Sequence, residues 1–400
     1  MSEWKDVEIS EVIEEIAMGP FGSNIKVDNF INSGIPVLNG SNLQGFKLNE
    51  NSFNFVSEEK ADSLGRANAF RGDVIITHRG TLGQIVYIPF DSKYERYVIS
   101  QSQFRLKLNH NIIRPDFLVY FFHTRLGQHR ILMNASQVGV PALARPTSTF
   151  KKVCVPVPPL ETQNEVMAIL SSLDDKIAVN KKICENLEAQ AQALFKHWFV
   201  DFAPFKDGKF VESELGLIPE GWSVGTLGDI AEFKRGKTIT KSDVKEGLIP
   251  VVAGGLEPAY YHNQSNTSSR VITISGSGAN AGFTKMYYQP VWASDCSFVD
   301  NASTSLLHTA YCYLLINKKK VDALQWGAAQ PHVYAKDINK LPLAIAPLDV
   351  LNQFEEMISE MFDLIEVNDK ETTRLATLRD TLLPKLMSGE IKVNEIEKSL

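Results

Sequence analysis

Residues 231–238, AEFKRGKT, have the glycine and lysine spacing of a loose phosphate-binding P-loop. A P-loop needs a buried strand before the glycine turn and a helix after it, because the strand end directs backbone N–H groups at the phosphates. The residues that precede this glycine, TLGDIAEFK, are amphipathic with helical spacing. We therefore interpret Lys234, Arg235 and Lys237 as a basic surface loop that can contact a polyanion, and not as a nucleotide site.

Two other residue sets resemble catalytic motifs, and each lacks an element that the chemistry requires. VPVPPL is similar to the Asn-Pro-Pro-Tyr motif of amino-methyltransferases but has Val157 where the residue that binds the amine belongs. Asp116 with Asp174 and Lys176 imitates a nuclease carboxylate set, yet the last two residues lie in a predicted long helix. The histidines and cysteines have no zinc-type spacing. The sequence predicts no catalytic residue, no metal and no cofactor.

The composition favours a protein with well-packed cores. The chain has 400 residues, of which 44% are hydrophobic and 22% charged. No apolar run is long enough to cross a bilayer, and no basic segment with an apolar run stands near the N-terminus, so we expect a cytoplasmic protein. The four cysteines are far apart and are predicted to be free, buried thiols.

Comparison of the chain with itself reveals a tandem duplication. Residues 160–195 match residues 348–383 without a gap, so that Leu160 corresponds to Leu348 and Asn180 to Asn368. Upstream, SGIPVLNG, GDVIITHRGTLG and VGVPAL recur in the same order as GLIPVVAGG, SRVITISGSGANAG and AAQPHV. We predict globular domains at 1–157 and 204–346, each followed by a helical segment, at 158–203 and 347–400.

The helical segments have apolar residues at alternating steps of three and four, the heptad spacing of a coiled coil. Pro158 and Pro159 precede the first helix, while Pro384 and Gly389 are predicted to end the second. About 38 residues make a helix of about 57 Å, which has too long an apolar edge for one small domain, so we expect the two helices to pack on each other. Asn180 and Asn368 occupy the same seam position and are predicted to pair and fix the register.

The globular domains are predicted to be mixed α/β (α+β). DVIITH, QIVYIPF, RVITIS and CYLLI are rich in β-branched and aromatic residues, which favours strands, and EISEVIEEIA and TLGDIAEFK are predicted to be short helices. The formal net charge of −6 comes from the helical segments, since the globular domains are nearly neutral. Acidic helices are unsuited to contact with phosphates, so any nucleic-acid contact must come from local clusters in the domains.

Four stretches carry a family resemblance: PPLETQNEVMAILSSLDDKI, LFKHWFVDFAPFK, GLIPEGW and LLPKLMSGEI. In this order, around a duplicated unit, they resemble the specificity (S) subunit of type I restriction-modification systems. The resemblance spans essentially the whole chain. It implies two target recognition domains separated by two long antiparallel coiled-coil helices, related by a pseudo-twofold axis.

The function that this resemblance implies is the reading of a bipartite site in double-stranded DNA, one half-site per domain. The helices would set the spacing and dock two methyltransferase (M) subunits, and restriction (R) subunits would join through the complex. S-adenosylmethionine, ATP and Mg²⁺ would belong to those partner subunits, and the chain itself would have no catalytic activity. The alternative is a catalytically active nuclease or methyltransferase that carries two DNA-recognition domains.

Polar side chains at corresponding places in the two domains are candidates for DNA contact, because Arg and Gln side chains suit bidentate contacts to base edges. From the turn after the repeated strand they are Thr77, His78 and Arg79 in the first domain, and Ser275, Ser277 and Asn280 in the second. From the second repeated loop they are Gln137 in the first domain, and Gln330 and His332 in the second.

Overall fold

The computed structural model describes residues 4–22, 24–133, 135–136, 139–327 and 330–394. The chain divides into two compact units, which we call unit 1 (residues 1–177 and 373–400) and unit 2 (residues 178–372). Both divisions fall inside a long helix. Each unit therefore contains one mixed α/β domain together with part of each long helix.

Unit 1 has a four-stranded antiparallel sheet of order β2-β9-β6-β7 and a second sheet of order β4-β3-β8-β5, in which β3 and β8 are parallel. Its strands are β1 (Lys5–Glu8), β2 (Ile13–Met18), β3 (Ile35–Val37), β4 (Asn54–Val56), β5 (Asn68–Phe70), β6 (Val74–Thr77), β7 (Ile85–Tyr87), β8 (Arg96–Val98), β9 (Gln103–Leu108), β10 (Ala135–Ser136), β11 (Ala142–Leu143) and β12 (Cys154–Val157). Its helices are α1 (Ile9–Val12), α2 (Glu58–Ser63), α3 (Pro115–His123), α4 (Arg125–Leu132) and α5 (Pro146–Phe150), and α6 (Leu160–Phe199) begins in this unit.

Unit 2 repeats this plan. Its antiparallel sheet has the order β16-β22-β19-β20, and its second sheet, β18-β17-β21, again contains one parallel pair. Its strands are β13 (Phe210–Ser213), β14 (Gly216–Pro219), β15 (Ser223–Thr226), β16 (Lys234–Arg235), β17 (Ile249–Val252), β18 (Tyr260–His262), β19 (Val271–Ser275), β20 (Thr284–Tyr287), β21 (Trp292–Ala293), β22 (Cys296–Asp300) and β23 (Pro342–Ile345). Its helices are α7 (Leu227–Ile230), α8 (Leu307–Ile316), α9 (Lys318–Asp322) and α10 (Ala335–Ile338), and α11 (Leu348–Ser388) begins here.

The duplication predicted from the sequence is confirmed by this shared strand order. The long helices begin at Leu160 and Leu348, which are the positions that the sequence repeat matches. They contain 40 and 41 residues, or about 60 Å each at about 1.5 Å per residue. In unit 2, Asn180 lies beside Glu371 and Cys184 beside Ile365, so the helices pair in antiparallel directions there.

The long helices complete the cores of both domains. In unit 1, Leu170 of α6 and Leu386 of α11 belong to the same buried cluster as Phe104 and Phe117. In unit 2, Phe195 and Phe354 share a buried cluster with residues of β19 and α8. Because each domain buries its apolar face against helix residues, the helices are structural parts of the domains and more than linkers.

Several local predictions are wrong. The two segments predicted as short helices form helix only over α1 and α7, of four residues each, and EISEVIEEIA continues after α1 as strand β2. CYLLI belongs to α8, whose residues are buried on nearly every side, so its apolar run carries no helical period. Pro384 lies within α11, and the helix ends before Gly389, whose φ of +72° fits a helix C-terminus.

Two further observations concern the cysteines and the membrane. Cys296 and Cys312 are buried as predicted, whereas Cys154 is exposed at the start of β12. Burial raises the pKa of the Cys296 thiol to about 12. Among the described residues, no helix is both long and apolar enough to cross a membrane.

Candidate nucleic-acid interface

In unit 1, the turn that follows β6 lies against the segment that contains β11. The Gly80 N–H donates to the Pro141 carbonyl at 2.9 Å, and the Leu143 N–H donates to the His78 carbonyl at 2.8 Å. Arg79 and Ala142 form an isolated antiparallel bridge between these two hydrogen bonds. Two loops whose bridged residues are 63 apart in the sequence are therefore held side by side.

Unit 2 contains the same arrangement after β19. The Gly278 N–H donates to the Pro331 carbonyl at 3.0 Å, and the Val333 N–H donates to the Gly276 carbonyl at 3.0 Å. Ser277 and His332 form the corresponding bridge. We call residues 78–80 with 141–143, and residues 276–278 with 331–333, the loop pair of each unit. The backbone contacts recur although the side chains differ, so each unit presents a different chemical surface on the same frame.

The predicted DNA-contacting residues divide by exposure. Arg79 and Gln330 are exposed, and His332 is partly exposed. Thr77 and Ser275 are buried at the ends of their strands, where the Thr77 hydroxyl donates to Gln84 Oε1 at 3.1 Å and the Ser275 hydroxyl to the Gly254 carbonyl at 3.1 Å. Their hydroxyl groups therefore hold the turns in place and do not face solvent. Gln137 lies outside the described residues.

The remaining polar residues of the turns have protein partners. The His78 ring lies 3.1 Å from the Gln101 carbonyl through Nε2, and burial lowers the pKa of this imidazole, which favours its neutral form. The Ser277 hydroxyl donates to the Asp295 carboxylate. Asn280 Nδ2 donates weakly to the Gly254 carbonyl, at 3.4 Å. DNA could therefore contact these polar groups only by replacing their hydrogen bonds to the protein or by forming additional ones.

A surface cleft of about 940 Å³ opens beside the loop pair of unit 1. His78 and Arg79 line it together with Gln101, Arg66 and Lys151, and none of the described residues that line it is a carboxylate. Arg66 also pairs with Glu15 at 2.5 Å, so its charge is partly compensated. A cleft with cations and no lining anion is suited to a polyanion such as the DNA backbone.

The basic stretch of unit 2 does not form a P-loop. Lys234 and Arg235 form the short edge strand β16, which pairs with β22, and no helix follows among residues 236–248. A Cβ atom at Gly236 would lie 2.4 Å from the Ser294 carbonyl oxygen, and one at the corresponding Gly19 would lie 1.9 Å from the Ser100 oxygen. The glycine is therefore required by close backbone packing. Lys237 is exposed, with its ammonium group 5.9 Å from the Trp292 ring centre.

Both carboxylates of the set that resembles a nuclease site have protein partners. Asp174 accepts hydrogen bonds from the Tyr120 hydroxyl and, at 2.6 Å, from Arg379, and Asp116 pairs with Arg114 at 2.6 Å. Across the part of the chain that the structure describes, no cluster of three or more His, Cys, Asp or Glu side chains could hold a metal ion.

The predicted pairing of Asn180 with Asn368 is wrong. Asn180 is fully buried and donates from Nδ2 to Glu371 Oε2 at 2.7 Å, while its Oδ1 atom has no partner. Asn368 donates to the Leu364 carbonyl of its own helix at 2.7 Å. The antiparallel register places Glu371, and not Asn368, opposite Asn180, a relation that the sequence repeat does not reveal.

Sequence reasoning missed Gln101, Lys151 and Asp295. Gln101 and Lys151 line the cleft of unit 1, and Asp295 accepts from Ser277 in unit 2. Gln101 and Asp295 lie in the short segments before β9 and β22, two strands that hold the same position in the sheets of unit 1 and unit 2. Aligning these two segments of the repeat would have indicated that Gln101 and Asp295 occupy similar places.

Comparison with known proteins agrees with this duplicated frame. The family model described as type I restriction modification DNA specificity domain matches residues 1–189 and again residues 219–379. The chain belongs to this family. Two specificity domains in one chain account for the two units with the same sheet order and the same loop pair.

The sequence similarity to two type I specificity subunits covers nearly the whole chain. The chain is 26% identical over 421 residues to the type I restriction enzyme MjaIX specificity subunit of Methanocaldococcus jannaschii, covering 98% of this chain and 95% of that protein. It is 24% identical to the HindI specificity subunit of Haemophilus influenzae, covering 98% of this chain and all of that protein. The crystal structure of a type I restriction-modification S subunit from M. genitalium has the same fold, with a TM-score of 0.56, 18% identity and 96% coverage of each chain.

Proposed function

We propose that this chain reads a bipartite sequence in double-stranded DNA for a type I restriction-modification complex, one half-site per α/β domain. The loop pair carries the proposal, because the same backbone frame presents Arg79 in unit 1 and Gln330 with His332 in unit 2. The Arg79 guanidinium in unit 1 would contact different bases from the Gln330 amide and the His332 imidazole in unit 2. Two domains of one family then give an asymmetric, two-part target.

The long helices would set the spacing between half-sites and dock two methyltransferase subunits. In unit 2, both helices leave pairs of apolar side chains exposed at helical spacing, Val179 with Ile183 on α6 and Leu364 with Val367 on α11. Exposed apolar pairs on an acidic helix favour a protein partner over DNA. Restriction subunits would join through the assembled complex, which works on DNA in the cytoplasm.

Catalysis would belong to the partners. S-adenosylmethionine would be bound by the methyltransferase subunits, and ATP with Mg²⁺ by the restriction subunits, so that the present chain supplies only sequence recognition. The rival function is a nuclease or methyltransferase activity in the chain itself. Incubation of the purified chain with S-adenosylmethionine, Mg²⁺ and plasmid distinguishes the two, because only the rival predicts methylated or cleaved DNA without partners.

Methylome sequencing of cells that carry this chain with its methyltransferase subunit tests the recognition proposal directly. We expect methylation at one bipartite motif with a fixed spacer. Exchange of the unit 2 domain, residues 204–346, for that of a relative should change one half-site and leave the other unchanged. A motif that stays the same after the exchange would show that the domain does not read DNA.

A further inference from the structure

Phe21 extends into solvent at the cleft of unit 1. Its side chain is 84% exposed, and it lines the same cleft as His78, Arg79 and Lys151. It stands two residues after Gly19, whose close packing on the Ser100 carbonyl fixes where this segment leaves β2. A large apolar ring is thus presented beside side chains suited to bases and phosphates.

Trp326 is the exposed aromatic residue beside the loop pair of unit 2. Its indole is 63% exposed, and its backbone exchanges two hydrogen bonds of 2.8 Å with His332, the residue that bridges to Ser277 in the loop pair. The His332 and Tyr334 rings are stacked with centres 6.1 Å apart, and the Lys336 ammonium lies 5.6 Å from the Tyr334 ring centre. An exposed indole, a stacked pair of rings and a cation therefore lie at or next to the loop pair of unit 2.

The two aromatic residues come from different elements of the repeat. Trp326 is the backbone partner of His332 in unit 2, and Ser136 is the backbone partner of Ala142, the counterpart of His332, in unit 1. The first repeat therefore has a serine at the position of the tryptophan. Phe21 stands two residues after Gly19, whereas Thr238 stands two residues after the corresponding Gly236. Each unit thus has an exposed aromatic residue next to its polar readers, although the duplication did not copy it.

We propose that Phe21 and Trp326 insert against the base stack of DNA, each unstacking one base step in the half-site that its unit reads. This inference rests on the proposed function. Aromatic and apolar side chains inserted between bases kink the duplex, and each base offers a flat face to an aromatic ring whatever its sequence. Arg79 and Lys151 in unit 1, and Lys336 in unit 2, supply the attraction to phosphate that brings the rings to the bases.

Exposure alone does not select these residues, since single apolar side chains are common on protein surfaces. Phe90 provides the matched control. It is 61% exposed in unit 1, but it lines a separate depression with Tyr87, His110 and Asp116. Its ring makes an edge-to-face contact with the His110 ring, with the ring centres 5.5 Å apart. That depression contains carboxylates, unlike the cleft at Phe21.

The test uses the assembled methyltransferase complex and its own site, identified by methylome sequencing. 2-Aminopurine replaces each adenine of the two half-sites in turn, except the methylated ones, and its fluorescence rises where a base becomes unstacked. We expect a rise at one step in each half-site. Phe21→Ala should abolish the rise in the half-site of unit 1 only, and Trp326→Ala that in the half-site of unit 2 only. Binding should weaken about 5- to 150-fold for each, as for loss of one base–aromatic stack.

Phe90→Ala should leave both fluorescence signals and the affinity unchanged, and Phe21→Leu should keep part of the signal because an apolar wedge remains. If the wild-type complex binds its site and both alanine variants keep the full fluorescence rise, the inference is wrong and the proposed function stands. A complex that neither binds nor methylates a bipartite site would overturn the proposed function, and this inference with it.

Discussion

Arg379 on α11 and Asp174 on α6 form an ion pair within unit 1, with Nη1 and Oδ1 2.6 Å apart and both side chains less than one fifth exposed. Asp174 also accepts from the Tyr120 hydroxyl, and Arg379 lies over the Phe46 ring with its guanidinium 5.2 Å from the ring centre. One cluster thus joins both helices to the domain. The sequence repeat places Ala191 at the position that corresponds to Arg379, and Ala191 is fully buried in unit 2, so the two units attach to the helices differently.

Replacement of Arg379 by Ala should destabilise unit 1 by about 3 kcal/mol, because Asp174 would remain buried without its cation. The joint replacement Asp174→Leu with Arg379→Leu should cost far less, since no unpaired charge is left. Urea unfolding of the purified chain measures both values. Lys318→Ala serves as the control, because Lys318 forms an exposed pair with Asp322 and should change stability by less than about 1 kcal/mol.

Asn180→Leu should raise the free energy of unfolding by about 1 kcal/mol. The buried Oδ1 atom of Asn180 has no partner, and an unsatisfied buried acceptor costs about 1–3 kcal/mol, part of which the lost bond to Glu371 offsets. Asn368→Leu should change stability by less than about 0.5 kcal/mol, since the hydrogen bond that its side chain donates goes to Leu364 of its own helix. Equal effects of the two substitutions in thermal unfolding would contradict this asymmetry.

Asp73 should make unit 1 less stable as the pH rises from about 4 to 6. Burial raises the pKa of this carboxyl to about 6. Arg105, 3.4 Å away, lowers the pKa but does not cancel the effect of burial, and Arg105 is also paired with Glu15 at 2.5 Å. The folded chain then binds the proton more tightly than the unfolded chain, so stability is lost as the pH passes through this range, by about 3 kcal/mol. Asp73→Asn should remove that loss. Hydrogen exchange of residues 68–77 at pH 4, 5, 6 and 7 compares the two chains, and parallel pH profiles would refute the prediction.

Arg79→Ala and Gln330→Ala should each weaken binding to the cognate site by about 1–3 kcal/mol and relax the base preference in one half-site. Thr77→Val should leave the base preference intact and lower the stability of unit 1, because this buried hydroxyl bonds to Gln84. Competition binding with duplexes varied at each position provides the readout at one fixed salt concentration. An unchanged affinity in both alanine variants would remove the loop pair from the interface.

Longer helices should lengthen the spacer between half-sites. Because Asn180 faces Glu371, four residues would be inserted beside each of these positions, which adds about 6 Å to each helix and keeps the apolar edge nearly aligned. Since a base pair rises about 3.4 Å, the complex should methylate the same half-sites with one or two more base pairs between them. Methylation of a spacer series gives the optimum. A broadened tolerance without a shifted optimum would mean that flexible segments, and not the helices, set the distance.

The sequence by itself determined the duplication, the two long helices and the mixed α/β class. The gap-free match of residues 160–195 with 348–383 correctly gave where both helices begin, because heptad spacing over many turns is a strong periodic signal. The strands around Val74 and Val271 were also correct, since β-branched runs between turn residues depend little on distant contacts.

Tertiary structure alone decided which distant side chains meet and which side chains of the turns face solvent. Sequence symmetry placed Asn180 opposite Asn368 in an antiparallel helix pair, but the packing of side chains shifts the register, so the partner of Asn180 is Glu371. The turns at Thr77 and Ser275 were located correctly. The burial of those two side chains and the exposure of Arg79 and Gln330 depend on a second, distant loop that is hydrogen-bonded alongside each turn. Local periodicity records which face of an element is buried, and it holds no information about which distant residue covers it.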